Sequence, residues 1–134
     1  MSAEQPKTLS KEERELFIKS TFEPVKHLKD LPLGVQSALG VNEKKRRIAD
    51  AGGDFSAGCT GGPDIPHQRF IFGGTSGDRC FVYYEQGGIA RFLYFQLYKI
   101  SGDKAELVYQ AMNNKDYKNV DDIKKAMTAK EMQY

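Results

Sequence analysis

The stretch QRFIFGGTSGDRCFVYYEQGGIARFLYFQLYKISGDKAELVYQAM, Gln68–Met112, decides the fold. It holds four segments rich in apolar, β-branched and aromatic residues, Phe70–Phe72, Cys80–Tyr84, Ile89–Ile100 and Ala105–Tyr109, separated by short glycine-bearing runs. Such residues fit a pleated, half-buried surface, and glycine supplies the positive φ that tight hairpins need. The spacing therefore predicts a four-stranded antiparallel meander with turns at Gly73–Asp78, Gln86–Gly88 and Ser101–Asp103. Along the third strand, Phe92, Tyr94, Tyr98 and Ile100 alternate with Leu93, Phe95 and Leu97. Both faces of that strand are apolar, so both require a cover. One cover is expected from helices near the termini, the other from the 51–66 segment, a second subunit or a ligand.

Before the meander the signals are helical. Ser10-Lys11-Glu12-Glu13 reads as a capping box, with the Ser10 hydroxyl on the Glu13 amide and the Glu13 carboxylate reaching back to the Ser10 amide. The helix it opens has Leu16 and Phe17 as a narrow apolar face and stops before Pro24. Asp30-Leu31-Pro32 starts a second helix, with Leu33, Ala38 and Leu39 at helical spacing until Gly40. A third helical piece is expected from Asn42 through Ile48, ended by Gly52-Gly53. Residues 51–66 carry five Gly and two Pro, with Phe55 and Ile65 the only large apolar side chains, and read as a long surface connection. An additional strand is anticipated near Phe22–Leu28. After the meander, Asn119 followed by Asp122 opens a last helix with Ile123, Ala126 and Met127 on one face.

The predicted architecture is thus α+β: short N-terminal helices, the meander, and a C-terminal helix packed on the sheet. Residues 1–8 are expected to be a flexible tail and residues 9–134 a single domain, since 134 residues suffice for one core. A net charge of +2 falls short of the dense basic face that nucleic-acid binding needs. No run approaches the length of apolar sequence that spans a bilayer, and Met1–Ser20 is polar rather than signal-like, so a soluble protein is expected. Cys59 and Cys80 are the minimum for one disulfide, which would close a loop of about 20 residues and stabilise by about 3 kcal/mol. Two unrelated buried thiols are the alternative.

No catalytic motif emerges. The Gly73–Gly77 cluster lacks the Lys-Ser or Lys-Thr pair and following helix of a phosphate loop, because Asp78-Arg79-Cys80 leads into a strand. Cys80–Tyr84 touches the aromatic strand signature of RNA-recognition modules only in its last positions, and core aromatics explain it. Lys44-Lys45-Arg46-Arg47 is the one basic run, flanked by Glu43 and Asp50 as on a solvated helix face. His27 and His67 have no metal-ligand spacing with either cysteine, so no metal and no cofactor is expected. Asp54, Asp64 and Asp78 lie in predicted loops and Glu85 ends a strand, positions that turn chemistry also explains.

Five blocks bear a likeness: Phe22-Glu23-Pro24-Val25; Asp30-Leu31-Pro32 with Val35 and Leu39; Ile48-Ala49-Asp50 with Gly53 and Phe55; Pro66 with Arg69-Phe70-Ile71; and Val82 through Ala90. Together they resemble a group of small, functionally uncharacterised bacterial proteins, over residues 22–127. The likeness is most specific at Tyr84–Ala90. Members are often preceded by export signals, which implies a periplasmic or secreted setting if a signal was removed and a cytoplasmic one otherwise. The resemblance implies no catalytic residue.

The leading functional expectation is a non-catalytic binding or accessory domain for an unidentified small molecule or protein. Phe55, Asp64, His67, Asp78, Glu85 and Tyr94 are its candidate contact surface. A second expectation is a small hydrolase-like enzyme using a loop carboxylate with His67 or Cys80. A third is a homodimer joined through the sheet, with a structural role, in place of a monomer.

Overall fold

The computed structural model describes residues 9–41, 47–53, 67–87, 91–113 and 115–129. Strands β3 (Gln68–Ser76), β4 (Arg79–Gln86), β5 (Phe92–Ser101) and β6 (Lys104–Asn113) form the expected antiparallel meander. Two short strands, β1 (Glu23–Val25) and β2 (Ile48–Ala49), share the outer edge of β3. β1 runs antiparallel against Gly73–Thr75, and β2 parallel against Gln68 and Arg69. β1 is the additional strand anticipated from the sequence, and its Pro24, which has no N–H, suits an edge. Helices α1 (Lys11–Lys19), α2 (Leu33–Leu39) and α3 (Val120–Thr128) complete the α+β fold, with a 3-10 turn at Leu28–Asp30.

The meander carries a core on each face. On the first, α1 and α3 bring Phe17, Ile123, Ala126 and Met127 onto Phe81, Tyr83, Leu93, Phe95, Leu97 and Tyr109. On the second, Leu28, Leu31, Val35, Leu39, Val41 and Ile48 cover Phe70, Cys80, Val82, Tyr84, Tyr98 and Leu107. The strand β5 alternation is as expected from Leu93 to Ile100, whereas Phe92 is exposed, and the second cover is the chain's own 28–41 segment together with β2. Gly34 explains the fit. A Cβ at that position would lie 2.5 Å from the carbonyl carbon of Lys104, so only glycine lets α2 rest on the backbone of β6.

That close approach also sets the rotation of α2. Gly34, Val35, Gln36 and Leu39 face inward, whereas Leu33 is 64% exposed and Ala38 is exposed, correcting the apolar face read from the sequence. Gly40, at φ 73°, terminates the helix as expected. The third helical piece is corrected too. Its Asn42–Arg46 part lies outside the described residues, and Ile48–Ala49 is strand β2, where burial against β3 overrides the helix preference of the preceding charged run.

The first hairpin turn is shorter than expected. Only Gly77 and Asp78 lie outside the ladder, with Gly77 at φ 58°, while Gly73 and Gly74 belong to β3. Space, not a turn, requires these two glycines. A Cβ on Gly73 would sit 2.7 Å from the Phe81 carbonyl oxygen, and one on Gly74 2.6 Å from the Phe81 ring and 3.0 Å from Phe22 Cβ. At α1, Ser10 Oγ accepts the Glu13 N–H at 3.1 Å. The other half of the box is replaced, because the Glu13 carboxylate bonds Arg79 at the start of β4.

Candidate functional site

A bulge in β3 builds the site. Opposite β4, Phe70 pairs with Tyr84 and Phe72 with Tyr83, which leaves Ile71 as an extra residue. The extra residue breaks the two-residue alternation of the strand. Phe70 is buried in the second core, and both Ile71 and Phe72 lie against the first. Next to them Gly73 presents no side chain. Phe22, Pro24, Val25 and Lys26 of the β1 arm stand on one side, and Lys118, Asn119 and Val120 at the start of α3 on the other.

Together with Phe81 these residues enclose a groove of about 460 Å³. That is within the size range of small-molecule sites. Its aromatic walls are held edge-on: Phe22 and Phe72 meet Phe81 at ring-centroid separations of 5.2 and 6.0 Å, both at 84°. Beside the groove, Lys124 Nζ donates to the Ser20 carbonyl at 2.5 Å and lies 5.8 Å from the centre of the Phe22 ring, tying α3 to the end of α1. The start of α3 is fixed by its own caps. Asn119 Oδ1 accepts from the Asp122 N–H at 3.0 Å, and Asp122 Oδ2 accepts from the Lys118 N–H at 2.9 Å. Among the described residues that line the groove, Lys26 and Lys118, both exposed, carry the charge, and none has a carboxylate, imidazole, thiol or hydroxyl side chain.

Of the contact residues expected from sequence, the described His67, Asp78, Glu85 and Tyr94 do not line this groove. Phe55 and Asp64 lie outside the described residues. His67 is exposed at the entry to β3, where its carbonyl accepts the Gly87 N–H at 2.8 Å. Tyr94 is half-buried and stacks on Tyr84, centroids 5.2 Å apart at 13°. Glu85 is 5% exposed. Its Oε2 accepts from Arg69 Nε at 2.8 Å and its Oε1 from Arg91 Nε at 2.9 Å. Arg91 Nη2 reaches on to Asp116 at 3.2 Å, and Arg69 Nη1 to the Gly53 carbonyl at 3.3 Å.

His67, Glu85 and Tyr94 thus share one end of the sheet, while Asp78 turns the hairpin at the other, about 20 Å away along β4. The Asp78 carbonyl accepts the Ile100 N–H at 2.7 Å, and its carboxylate bonds Arg79 at 2.9 Å. Sequence reading missed the partners of Glu85 because Arg69 meets it only through strand register. It missed the groove because Phe70-Ile71-Phe72 reads as ordinary strand. The adjoining Gly73-Gly74 was the signal that a close approach lay nearby.

Cys80 is a free, fully buried thiol on the second face, its Sγ 3.7 Å from the Phe81 carbonyl, and burial pushes its pKa up to about 12. That is opposite to what a thiolate nucleophile needs. It lies at the Asp78 end of β4, remote from His67. Cys59, the other half of the expected bridge, lies outside the described residues. Of the two histidines, His27 meets a carboxylate: its Nδ1 is 3.3 Å from Asp50 Oδ2. Burial works against the Asp50 charge, but amide bonds from Leu28 and Ala51 and the His27 contact outweigh it and hold the carboxyl below its usual range. The pair tethers the 3-10 turn to the end of β2. Tyr83 Oη donates to the Lys115 carbonyl at 2.6 Å and accepts the Tyr117 N–H at 3.1 Å; burial raises its pKa to about 12. Among the described residues, no three His, Cys, Asp or Glu side chains converge as a metal ion would require, and no helix is long and apolar enough to cross a membrane.

The fold and groove define the class as an α+β domain with a lateral apolar cleft. Comparison with known proteins finds no protein family, curated protein or solved structure that matches this chain.

Proposed function

We propose that the protein is a non-catalytic binding domain and that the groove between β1, β3 and α3 is where it holds a small apolar ligand. One observation carries the reading: a groove of about 460 Å³ walled by Phe, Ile, Val and Pro side chains, with no carboxylate, imidazole, thiol or hydroxyl side chain among the described residues that line it. Apolar walls with a few polar groups at the margin are the usual build of a ligand site, whereas acid–base or nucleophilic chemistry needs paired groups within hydrogen-bond reach. The second sheet face, one of the two contact surfaces considered with the 51–66 loop, is occupied by the 28–41 segment. The hydrolase-like reading asks for a loop carboxylate with His67 or Cys80; neither residue lines the groove, and burial of the Cys80 thiol speaks against its use as a nucleophile.

The test is a titration of ¹⁵N-labelled protein with 1-octanol, a neutral apolar probe. Amide shifts should concentrate at Phe22, Ile71–Gly73 and Lys118–Val120. Shifts scattered over the surface, or none up to millimolar probe, would sink the reading.

A further inference from the structure

We propose that the groove takes an amphiphilic carboxylate, with its apolar body against Phe22, Ile71, Phe72, Phe81 and Val120 and its carboxylate paired with Lys26 and Lys118. The inference rests on the reading of the groove as the binding site and adds the chemical class of the ligand. The two charged residues in the lining are both cations, one from the β1 arm and one from the link into α3. Neither ammonium has an ion pair or hydrogen bond with another described residue, in contrast to Lys124, which is engaged by the Ser20 carbonyl. Nearby acids compete little. Asp122 already accepts the Lys118 amide. Glu23, exposed on β1, is not among the residues that line the groove. Close in sequence to Lys118 also stand Asp116, which accepts from Arg91 Nη2 at 3.2 Å, and Asp121, exposed in the first turn of α3.

The two halves of such a ligand need each other. Exposed ion pairs are individually weak, so a head group alone has little affinity. An apolar body alone lacks the polar contact that fixes its orientation.

The experiment compares octanoate, 1-octanol and acetate on ¹⁵N-labelled wild-type protein and on the Lys26→Gln/Lys118→Gln variant, in which both replaced side chains are at the surface. Octanoate should bind wild type about three- to tenfold more tightly than octanol, the range two exposed charge contacts supply. The variant should bind octanoate no more tightly than octanol, and acetate should leave the groove amides unmoved. Asp121→Asn should tighten octanoate binding and not octanol binding. Equal affinities for octanoate and octanol in wild type, or a preference that survives in the double variant, would overturn the carboxylate assignment and leave the groove reading standing. If neither eight-carbon probe moves the groove amides, the groove reading itself fails.

Discussion

Glu13 lies in the first turn of α1, yet its carboxylate bonds across the molecule to Arg79 Nε at 2.9 Å and to Nη2 at 2.5 Å. Both side chains are mostly buried, with exposures of 21% for Glu13 and 14% for Arg79. The Arg79 hydrogen bonds and charge outweigh desolvation and hold the Glu13 carboxyl below its ordinary 4.5. A carboxylate whose folded pKa is depressed stabilises fully above its unfolded pKa and loses that contribution as pH falls through the folded value. Glu13→Gln should therefore cost about 1.5 kcal/mol at pH 7, the scale of a charge-assisted hydrogen bond. The gap between variant and wild type should narrow below about pH 4.5 as the wild-type carboxylate protonates. Urea unfolding at pH 7, 5, 4 and 3 checks this, and a gap independent of pH would mean that the pair contributes packing alone. Residue-scale legibility follows range. The Ser10 cap lies three residues from its partner and was readable. The Arg79 partner of Glu13 and the two arginines on Glu85 depend on where strands and helices meet, which no local pattern encodes.

At the scale of elements, the sequence announced strands through composition and turns through glycine, and the meander follows that pattern. It announced less well which glycines were turns. Gly73 and Gly74 look like loop residues because glycine usually weakens a strand, but a neighbouring ring and carbonyl occupy the space a side chain would take. The usual rule, that Gly→Ala stabilises by restricting the unfolded chain, should therefore reverse at Gly73. Its Cβ would press to 2.7 Å on the Phe81 carbonyl oxygen, a backbone atom of a central strand that cannot swing aside. Gly73→Ala should destabilise by about 2 kcal/mol, in the range of overpacked core positions, as read from the denaturation midpoint. An unchanged or raised midpoint would show that β3 and β4 part readily there. The face of α2 failed for a similar reason. Helical periodicity saw Leu33 and Leu39, but rotation is set by Gly34 lying on β6, a contact between elements far apart in the chain.

Across the whole molecule, two cores share one sheet. Strands β4 and β5 give alternate residues to each, so Phe81 and Tyr83 belong to the first and Cys80 and Val82 to the second. The sequence made the two-sided burial of β5 legible, because apolar residues ran through both phases of its alternation. It left open what covers the second face, since the 28–41 segment carries only a short, glycine-broken apolar pattern. The shared strands imply that neither core opens without the other. Cys80 reports on this: its thiol is fully buried on the second face of a central strand, so a labelling reagent should reach it only through global unfolding. Ile123, also fully buried, lies in α3 on the opposite face. Ile123→Ala should cost about 3 kcal/mol. If the cores are one cooperative unit, Cys80 labelling under native conditions, followed in a Cys59→Ser background so that one thiol is read, should accelerate about a hundredfold, the factor that stability loss implies. A labelling rate that barely changes while α3 is destabilised would mean that the first-face layer unfolds separately. The groove at the start of α3 would then belong to the less stable half of the molecule, and a ligand held there should restore the coupling.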